Sequence, residues 1–396
     1  MIQISPETQL FIREHSSDDV RTLALQAKKY PDINMPTAIT QIAGRQVAAE
    51  KIPSWREIEE IWYPKHLSLE QCSSEITARY KARLFQGDSL IDLTGGFGID
   101  CSFLATGFKT ATYVERQEEL CEIAAHNFPI LNLNHINVRN EDGVAYLQSM
   151  SPVDCIFLDP ARRNEHGGKT VAISDCEPNV AELEALLLSK ANRVMIKLSP
   201  MLDLSLALKE LKHTQEIHIL SVNNECKELL ILLRQTSPAE IAIHCVNLLT
   251  KGTQEEQHLV FTREQEQRSQ CTYTDSLGNY LYEPNASLLK AGAFRSIAAA
   301  YPVRKLHPNS HLYTSDSFIE NFPGRIFRIV NQCSFNKKEV KENLADLKKA
   351  NVTVRNFPAT VAELRKRLHL TEGGDTYLFA STLNNGQKVI IRCEKV

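Results

Sequence analysis

The sequence predicts an α/β protein whose mostly parallel central sheet is preceded by helices and followed by a small α+β module. Three observations support this prediction. Apolar runs of strand length alternate with helical periodicity between residues 88 and 222. A glycine-rich turn follows the first of these runs. The end of the chain changes to a compact pattern of strand, helix, strand, helix, strand and strand.

Composition limits the class of protein. The chain has 396 residues, 43% apolar and 23% charged, which is ordinary for a water-soluble protein of two or three domains. No apolar run reaches the roughly 18 residues of a membrane helix. The N-terminus lacks a signal-peptide pattern, and the ten cysteines occur without a CxxC pair. We therefore expect a cytoplasmic protein with no membrane partner and no metal site.

The first 86 residues show helical patterns without strand-like alternation. A helix is predicted across Leu67–Leu84, with Ser68 as its N-cap. Gln71 and Ser74 on this helix are candidates for contact with a ligand, although a solvated polar face explains them better. We expect residues 1–86 to form a helical N-terminal region.

The segment Leu90–Asp100, LIDLTGGFGID, predicts a ligand-binding turn. A strand ending near Asp92 runs into three glycines within four positions, and a helix then begins. Glycine has no Cβ, so the backbone can turn tightly and approach a ligand, while the helix start offers free N–H groups. A dehydrogenase fingerprint would need a third glycine where Cys101 stands. A nucleotide-like ligand is predicted, with a purely structural turn as the alternative.

Three further acids follow later predicted strands. Glu115 ends a strand near residues 111–115, 23 residues after Asp92, where an acid can accept both ribose hydroxyls, and a solvated carboxylate is its alternative role. Asp142 follows a strand near 135–138, and a helix N-cap is its alternative role. Asp159-Pro160 follows a strand at Val153–Leu158, with an ordinary strand-ending Asp-Pro turn as the alternative. The carboxyl ends of parallel strands share one edge of the sheet, where open α/β folds bind ligands.

The core ends with an antiparallel hairpin. Strands are predicted near residues 193–198 and 216–222, with helices at Glu118–Phe128 and Pro178–Ser189 between the earlier strands. The connection from Ser221 to Cys226 is too short for a parallel crossover, so the next strand, Leu229–Arg234, should run antiparallel. We expect this domain to span residues 87–262.

A separate module is predicted at residues 278–396. Polar segments around 250–257 and 265–279 mark the boundary, and Tyr282–Asn285 should open a helix reaching about Ala300. The predicted elements that follow are the strand Ile326–Val330, the helix Lys337–Ala350, the strand Val352–Phe357, the helix Ala362–Leu368, and the strands Thr376–Ser381 and Lys388–Arg392. Asn384-Asn385-Gly386 supplies a hairpin turn between the last two strands. This pattern has a ferredoxin-like character.

Charge is distributed unevenly along the chain. Residues 317–396 contain 14 Lys and Arg against 8 Asp and Glu, a net charge of +6. The remainder carries 31 against 40, a net charge of −9. A basic module on an acidic body suggests a polyanionic partner, and charges spread over solvated helices are the alternative.

Several motifs resemble those of class I S-adenosylmethionine (SAM) methyltransferases that end in a THUMP-like domain. Asp92, Gly96 and Gly98 match the acid-x-G-x-G-x-G motif, although Thr94 replaces its first glycine. The other matching segments, which together span most of the chain, are EQCSSEITARYKA (Glu70–Ala82), LDPARR (Leu158–Arg163), IKLSP (Ile196–Pro200), YEPNASLLKAGA (Tyr282–Ala293) and VAELRKRL (Val361–Leu368).

This resemblance implies a Rossmann-like methyltransferase sheet that binds SAM. The residues implied for the cofactor are Asp92, Thr94, Gly95, Gly96, Phe97, Gly98, Glu115, Asp142 and Asp159. Asp142 would accept the adenine amino group, and Asp159 with Pro160 occupies the position of the catalytic motif, here Asp-Pro-Ala-Arg. A nicotinamide or flavin cofactor is the alternative ligand.

The THUMP-like resemblance implies an RNA substrate, tRNA or rRNA. The residues expected to contact it are Arg162, Arg163, Lys169, Lys197, Arg365, Lys366 and Arg367, with ordinary surface charge as the alternative. Methylation at C5 of a pyrimidine needs an attacking cysteine, which follows the fifth strand in the similar Asp-Pro-Ala-Arg RNA methyltransferases. Leu198 stands at that position here, and Cys226 is expected to be inert. A nitrogen or oxygen nucleophile is therefore favoured. The alternatives are a protein or small-molecule substrate, and a non-catalytic RNA-binding protein that retains the fold.

Overall fold

The computed structural model describes residues 4–162, 172–236, 238–251 and 255–396. The chain divides into two compact units. The first consists of Met1–Gln215 and Leu230–Pro238, and the second of Glu216–Leu229 and Ala239–Val396. In the described part of the chain, no helix has both the length and the apolar character needed to cross a membrane.

Helices form the beginning of the first unit, as predicted. They are α1 (Pro6–Glu14), α2 (Val20–Leu25), α3 (Met35–Lys51), α4 (Pro53–Arg56), α5 (His66–Gln71) and α6 (Glu75–Leu84), with a 3-10 turn at Ala27–Lys29. The prediction of one helix across Leu67–Leu84 is wrong, because the backbone is extended at Cys72 and Ser74. Ser68 consequently lies inside α5 and does not cap it.

Two side-chain amides fasten the segment between α4 and α5. Gln41 donates from Nε2 to the carbonyl oxygen of Tyr63 and accepts from its N–H through Oε1, both at 2.9 Å. Asn127 holds the preceding residue, Trp62, through the same pair of bonds, also at 2.9 Å. The His126 ring stacks on the Trp62 indole with centroids 3.6 Å apart. These contacts fix the approach of the chain to α5 and α6.

The sheet of the first unit alternates with helices. Its elements are β1 (Gly87–Asp92), α7 (Ile99–Ala105), β2 (Phe108–Glu115), α8 (Glu118–Ile130), β3 (Ile136–Asn140), α9 (Gly143–Ser149), β4 (Val153–Leu158), β5 (Ala161–Arg162), a 3-10 turn at Ile173–Asp175, β6 (Cys176–Glu177), α10 (Val180–Lys190), β7 (Ala191–Leu198) and α11 (Leu204–Glu210). The parallel order is β7-β4-β1-β2-β3. The strands are largely buried and apolar, as expected of a parallel sheet covered on both faces.

A tight hairpin follows α11 and confirms the predicted antiparallel strand. β8 (Thr214–Val222) and β9 (Glu225–Leu233) are neighbours joined only by Asn223 and Asn224. Both asparagines have left-handed backbones, with φ of 48° and 71°, which is the conformation that tight hairpins need. β10 (Ala242–Leu248) pairs with β8 in parallel, and β11 (Glu256–Phe261) pairs with β10 antiparallel. Neither β10 nor β11 was predicted, and β11 begins at the end of the predicted polar segment.

A seven-stranded sheet forms the rest of the second unit. Its elements, after α12 (Arg263–Arg268), are β12 (Tyr280–Pro284), α13 (Ala286–Ala291), α14 (Phe294–Ala300), β13 (Arg304–Lys305), β14 (Tyr313–Ser315), β15 (Gly324–Ser334), α15 (Lys337–Leu344), β16 (Asn351–Val354), α16 (Val361–Leu368), β17 (Thr376–Thr382) and β18 (Lys388–Lys395). The strand order is β13-β14-β12-β15-β18-β17-β16. The predicted succession of strands and helices from β15 onward is confirmed.

One predicted helix start is wrong. Tyr282 and Glu283 belong to β12, and the helix begins only after Asn285, whose side chain accepts from the N–H of Leu288. Gly292, with φ of 75°, then ends α13, and α14 follows as a separate helix. A buried strand before the cap cannot be distinguished from a helix by a five-residue apolar pattern.

The amide clamps generate a stability prediction. Gln41→Ala should lower the free energy of unfolding of this region by about 2 kcal/mol or more, because two buried backbone groups of Tyr63 lose their partners. Urea unfolding followed by tryptophan fluorescence measures it locally, since both tryptophans, Trp55 and Trp62, lie in this region. The exposed Gln9→Ala in α1 is the control and should stay within about 0.5 kcal/mol. Equal midpoints for the two variants would contradict the role of the clamp.

Candidate active site

Three acids meet at the carboxyl edge of the first unit's sheet. Asp92, at the end of β1, pairs in register with Tyr113 of β2 and Phe157 of β4. Glu115 and Asp159 each lie two residues beyond those partners, at the ends of β2 and β4. The register therefore gathers the three carboxylates around the loop that follows β1, at the edge where open α/β sheets bind ligands.

Two positions of the loop Thr94–Gly98 have backbone conformations that only glycine adopts easily. Gly96 and Gly98 have φ of +54° and +86°. A Cβ added to Gly96 would meet nothing closer than Thr94 O at 3.9 Å, so the space beside it is open. The N–H of Gly95 donates to the carbonyl of Val114 at 2.9 Å, which ties the loop to β2. The Phe97 ring packs edge-on against Trp55 at 5.4 Å, so that side chain belongs to the hydrophobic core.

Glu115 is held rigidly beside this loop. Its Oε2 accepts from the N–H of Gly96 and its Oε1 from the N–H of Gln117, both at 2.9 Å. The residue is 8% exposed, so its orientation is fixed by the backbone on both sides. Each carboxylate oxygen has two lone pairs, and the second on each oxygen can still accept from a ligand hydroxyl.

Asp92 carries an unsatisfied acceptor. Its Oδ1 accepts from the N–H of Thr94 at 3.0 Å, but its Oδ2 is buried and finds no hydrogen-bond partner among the described residues. Burial raises the pKa of this carboxyl well above its usual range. A bound cationic or N–H group would satisfy the free oxygen and favour the carboxylate form.

Thr94 links the loop to the fourth strand. Its hydroxyl oxygen accepts from the backbone N–H of Asp159 at 2.6 Å. The departure from the motif glycine at this position therefore supplies a contact that glycine cannot make. Pro160 follows Asp159 and is buried.

A buried ion cluster lies beneath Asp159. Lys197 Nζ is 2.5 Å from Asp159 Oδ2 and 3.3 Å from Asp100 Oδ2. Lys81 Nζ lies 3.0 Å from Asp100 Oδ1. Both ammonium groups also donate to Ser73 Oγ, at 3.1 and 3.0 Å, and Ser73 donates to Asp100 at 2.7 Å. We call these five residues the ion cluster.

The ion cluster keeps Asp100 charged in the core. Burial alone would raise the pKa of this carboxyl, but the ammonium groups of Lys81 and Lys197 outweigh burial and lower it to about 2. Lys81 is fully buried, whereas the Asp159 side chain is 37% exposed. Asp159 is therefore the member of the ion cluster that can meet a ligand.

The ion cluster contains three residues that sequence reasoning missed, Ser73, Lys81 and Asp100. A weak signal was present, since Ser73 and Lys81 lie in EQCSSEITARYKA and Asp100 follows the glycine loop. Polar residues in a helix pattern are most often solvated, so pattern alone does not predict a buried pair. Lys197 was predicted to contact substrate, and the structure places it against Asp159 and Asp100.

Asp142 acts as a helix cap. Its Oδ1 accepts from the N–H groups of Val144 and Ala145, both at 3.0 Å, at the start of α9. The side chain is exposed at the end of β3, next to β2 in the sheet. Asp142 therefore has the helix-capping role that was the alternative to adenine binding. Its second oxygen, Oδ2, takes no part in the cap and could accept from a ligand.

Other predicted contacts are only partly described. Arg163 and Lys169 lie outside the described residues, and Arg162 forms part of the two-residue strand β5, paired with Cys176 of β6. Gln71 is the exposed last residue of α5, and Ser74 Oγ lies 3.3 Å from Thr77 Oγ1.

In the second unit, burial raises the pKa of the Cys226 thiol to about 11, which fits an inert cysteine.

The basic helix α16 uses two of its three cations internally. Arg365 pairs with Glu372 through both terminal nitrogens at 3.1 Å. The guanidinium of Arg367 lies 4.1 Å from the centre of the Phe335 ring. Lys366 is exposed.

The whole chain is similar to a solved structure, that of a "putative methyltransferase" from Porphyromonas gingivalis W83. The two share 34% identity over 100% of each chain, with a TM-score of 0.87. Family models match a ferredoxin-like domain at residues 280–323 and a THUMP domain-like segment at residues 324–395. No curated protein is significantly similar.

Two more distant similarities cover about two fifths of the chain. TrmK of M. capricolum in complex with S-adenosylhomocysteine is 12% identical over 41% of this chain and 68% of its own, with a TM-score of 0.32. An rRNA methylase from Streptococcus thermophilus is 13% identical over 40% of this chain and 94% of its own, with a TM-score of 0.31.

The full-length match and the C-terminal family models confirm the resemblance seen in the motifs. The chain belongs to the family of the Porphyromonas gingivalis protein, a family with a class I methyltransferase fold and a C-terminal THUMP-like domain.

Proposed function

We propose that this protein is a SAM-dependent methyltransferase that modifies a nitrogen or oxygen atom of an RNA nucleotide. The observation that carries the proposal is the arrangement of Asp92, Glu115 and Asp159 around a left-handed glycine loop at one edge of the sheet. Membership of the family supports the reaction class.

The residues present fit the proposed cofactor. Glu115 offers two oriented carboxylate oxygens to a ribose diol, and the open side of Gly96 admits a ligand close to the backbone. The buried free Oδ2 of Asp92 suits an ammonium group such as that of the methionine moiety. Bound SAM supplies an electrophilic methyl group on its sulfonium.

Asp159 is the proposed catalytic residue. Two contacts and a proline fix it. Thr94 accepts from its N–H, Lys197 pairs with its carboxylate, and Pro160 restricts the backbone after it. Because Lys197 already balances its charge, the carboxylate suits the role of hydrogen-bond acceptor for a neutral amino or hydroxyl nucleophile. Orienting the nucleophile in this way is a large part of what an in-line displacement needs.

The THUMP-like segment supports RNA as the substrate. Five arginines of residues 317–396 are engaged in ion pairs, namely Arg325, Arg328, Arg355, Arg365 and Arg392. The exposed lysines, by contrast, include Lys337, Lys338, Lys341, Lys348, Lys349 and Lys366. We infer that lysines, and not arginines, make the contacts to phosphate.

The ion pairs of these arginines are also compatible with a substrate other than RNA. A guanidinium group that already pairs with a carboxylate of the module is less available for bidentate phosphate binding. A protein or small-molecule substrate remains the second candidate. Incorporation of labelled methyl groups into RNA, followed by mass spectrometry of the nucleosides, separates the two.

Glu115 provides the first prediction for this site. Glu115→Ala should weaken SAM binding tenfold or more, because a charge-assisted contact worth roughly 1.5–3 kcal/mol is lost. Isothermal titration calorimetry measures the affinity. Glu119→Ala, an exposed glutamate at the start of α8, is the matched control and should bind SAM normally. Unchanged affinity of Glu115→Ala would remove this residue from the cofactor site.

Asp159 should affect turnover more than binding. Asp159→Ala should keep SAM affinity within a few-fold while turnover falls about a hundredfold or more, the scale of a lost positioned polar group. Asp159→Asn retains an acceptor oxygen and should fall less. The assay uses RNA from cells that lack the protein. Near-normal turnover of Asp159→Ala would exclude it as the catalytic residue.

The exposed lysines provide a third prediction. Changing both Lys348 and Lys349 to Glu should weaken RNA binding and reduce the slope of log affinity against log salt by about 1.4–1.8, for two lost phosphate contacts. Gel-shift titrations at several salt concentrations measure this slope. The same change at Lys28 and Lys29, another adjacent exposed pair, is the matched control. A full chain that holds no RNA at low salt would favour the second candidate.

A further inference from the structure

Histidines and a glutamate gather on neighbouring strands of the second unit. Glu216 and His218 lie two residues apart on β8, and His244 is the register partner of His218 on β10. Residues at these positions project from the same face of a sheet. One ligand atom from each of the three side chains lies within 4.8 Å of the others.

The distances suit a small tetrahedral ion. Glu216 Oε2 lies 3.4 Å from His218 Nε2 and 3.7 Å from His244 Nε2. Two ligand atoms bound tetrahedrally to Zn²⁺ at about 2.1 Å lie roughly 3.4 Å apart. The two imidazole rings are stacked, with centroids 4.3 Å apart and an angle of 15° between planes. Because the lone pairs lie in the ring planes, the two rings would have to rotate out of this stack to direct both Nε2 lone pairs to one ion.

A third histidine orients the second. His244 Nδ1 is 3.2 Å from Nε2 of His258 on β11. Metal-bound histidines commonly donate from their second ring nitrogen to a carboxylate, a carbonyl or water, and here a histidine nitrogen occupies that position. With Nδ1 engaged in this way, Nε2 of His244 is the nitrogen that faces Glu216.

We propose that Glu216, His218 and His244 bind a divalent transition-metal ion, with Zn²⁺ as the preferred ion. Two imidazoles and one carboxylate form a ligand set that zinc accepts, with water in the fourth position. His218 is 2% exposed, whereas Glu216 and His244 are half-buried and leave a path for the ion. The ion would join β8 to β10. The proposal is independent of methyl transfer and replaces the sequence-based expectation of no metal site.

Metal binding by the full chain tests the proposal. After removal of metal by a chelator, the protein should take up about one Zn²⁺ per chain with micromolar or tighter affinity in calorimetry. His218→Gln and His244→Gln should each weaken binding at least tenfold. Glu216→Gln should also weaken it, and because Glu216 is only half-buried this variant guards against misfolding of the histidine variants.

The control is His213→Gln. His213 also faces a carboxylate, with its Nδ1 3.2 Å from Glu184 Oε1, but it lies outside the cluster, so binding should be unchanged. Co²⁺ in place of Zn²⁺ should give the visible absorption of a tetrahedral site, and His244→Gln should abolish it. Three results would overturn the proposal. They are no zinc uptake at micromolar concentration, uptake that all three variants retain, and a thiolate-to-Co²⁺ charge-transfer band, which would assign the ion to cysteine.

Discussion

The ion cluster is the interaction on which the proposed active site depends. It buries two ammonium groups with Asp100, and transferring such charges from water costs several kcal/mol each unless they are paired and hydrogen-bonded. Here each ammonium contacts both Asp100 and Ser73, so no member is left alone. Ser73 lies in the break between α5 and α6, and from there its hydroxyl donates to Asp100.

The ion cluster also connects the N-terminal helices to the proposed active site. Lys81 comes from α6, Asp100 from α7 and Lys197 from β7, and the chain reaches α6 through the segment clamped by Gln41 and Asn127. Asp159 is therefore fixed by elements that are far apart in sequence. Its carboxylate keeps one orientation without help from a ligand, and such preorganisation is what makes a polar group effective in catalysis.

Asp92 and Glu115 show two opposite uses of a buried carboxylate. Two backbone N–H groups orient the Glu115 carboxylate, so this side chain is already in position before a ligand binds. Asp92 instead has one buried oxygen with no hydrogen-bond partner among the described residues, and in the proposed function a ligand N–H would supply that partner.

The sequence predicted what depends on local pattern and missed what depends on long-range contact. Apolar periodicity and turn chemistry predicted the strands β1 to β4, β7 and β8 with the helices between them, the hairpin at Asn223-Asn224 and the positions of the carboxylates. The strand β12 and the edge strand β11 were missed, because short half-buried strands lack a distinctive pattern. The ion cluster could not be predicted, since a lysine in a helix pattern looks the same whether buried or solvated.

The net charge of the THUMP-like module likewise does not show which of its cations are exposed and which are paired. Its net charge of +6 counts arginines that are engaged in ion pairs together with lysines that are exposed. Exposed lysines give affinity for any phosphate backbone, whereas base contacts supply sequence preference. In the proposed function the module would therefore contribute affinity without much selectivity. The choice of nucleotide would then fall to the groups around Asp159, where the nucleophile must be oriented before methyl transfer is possible.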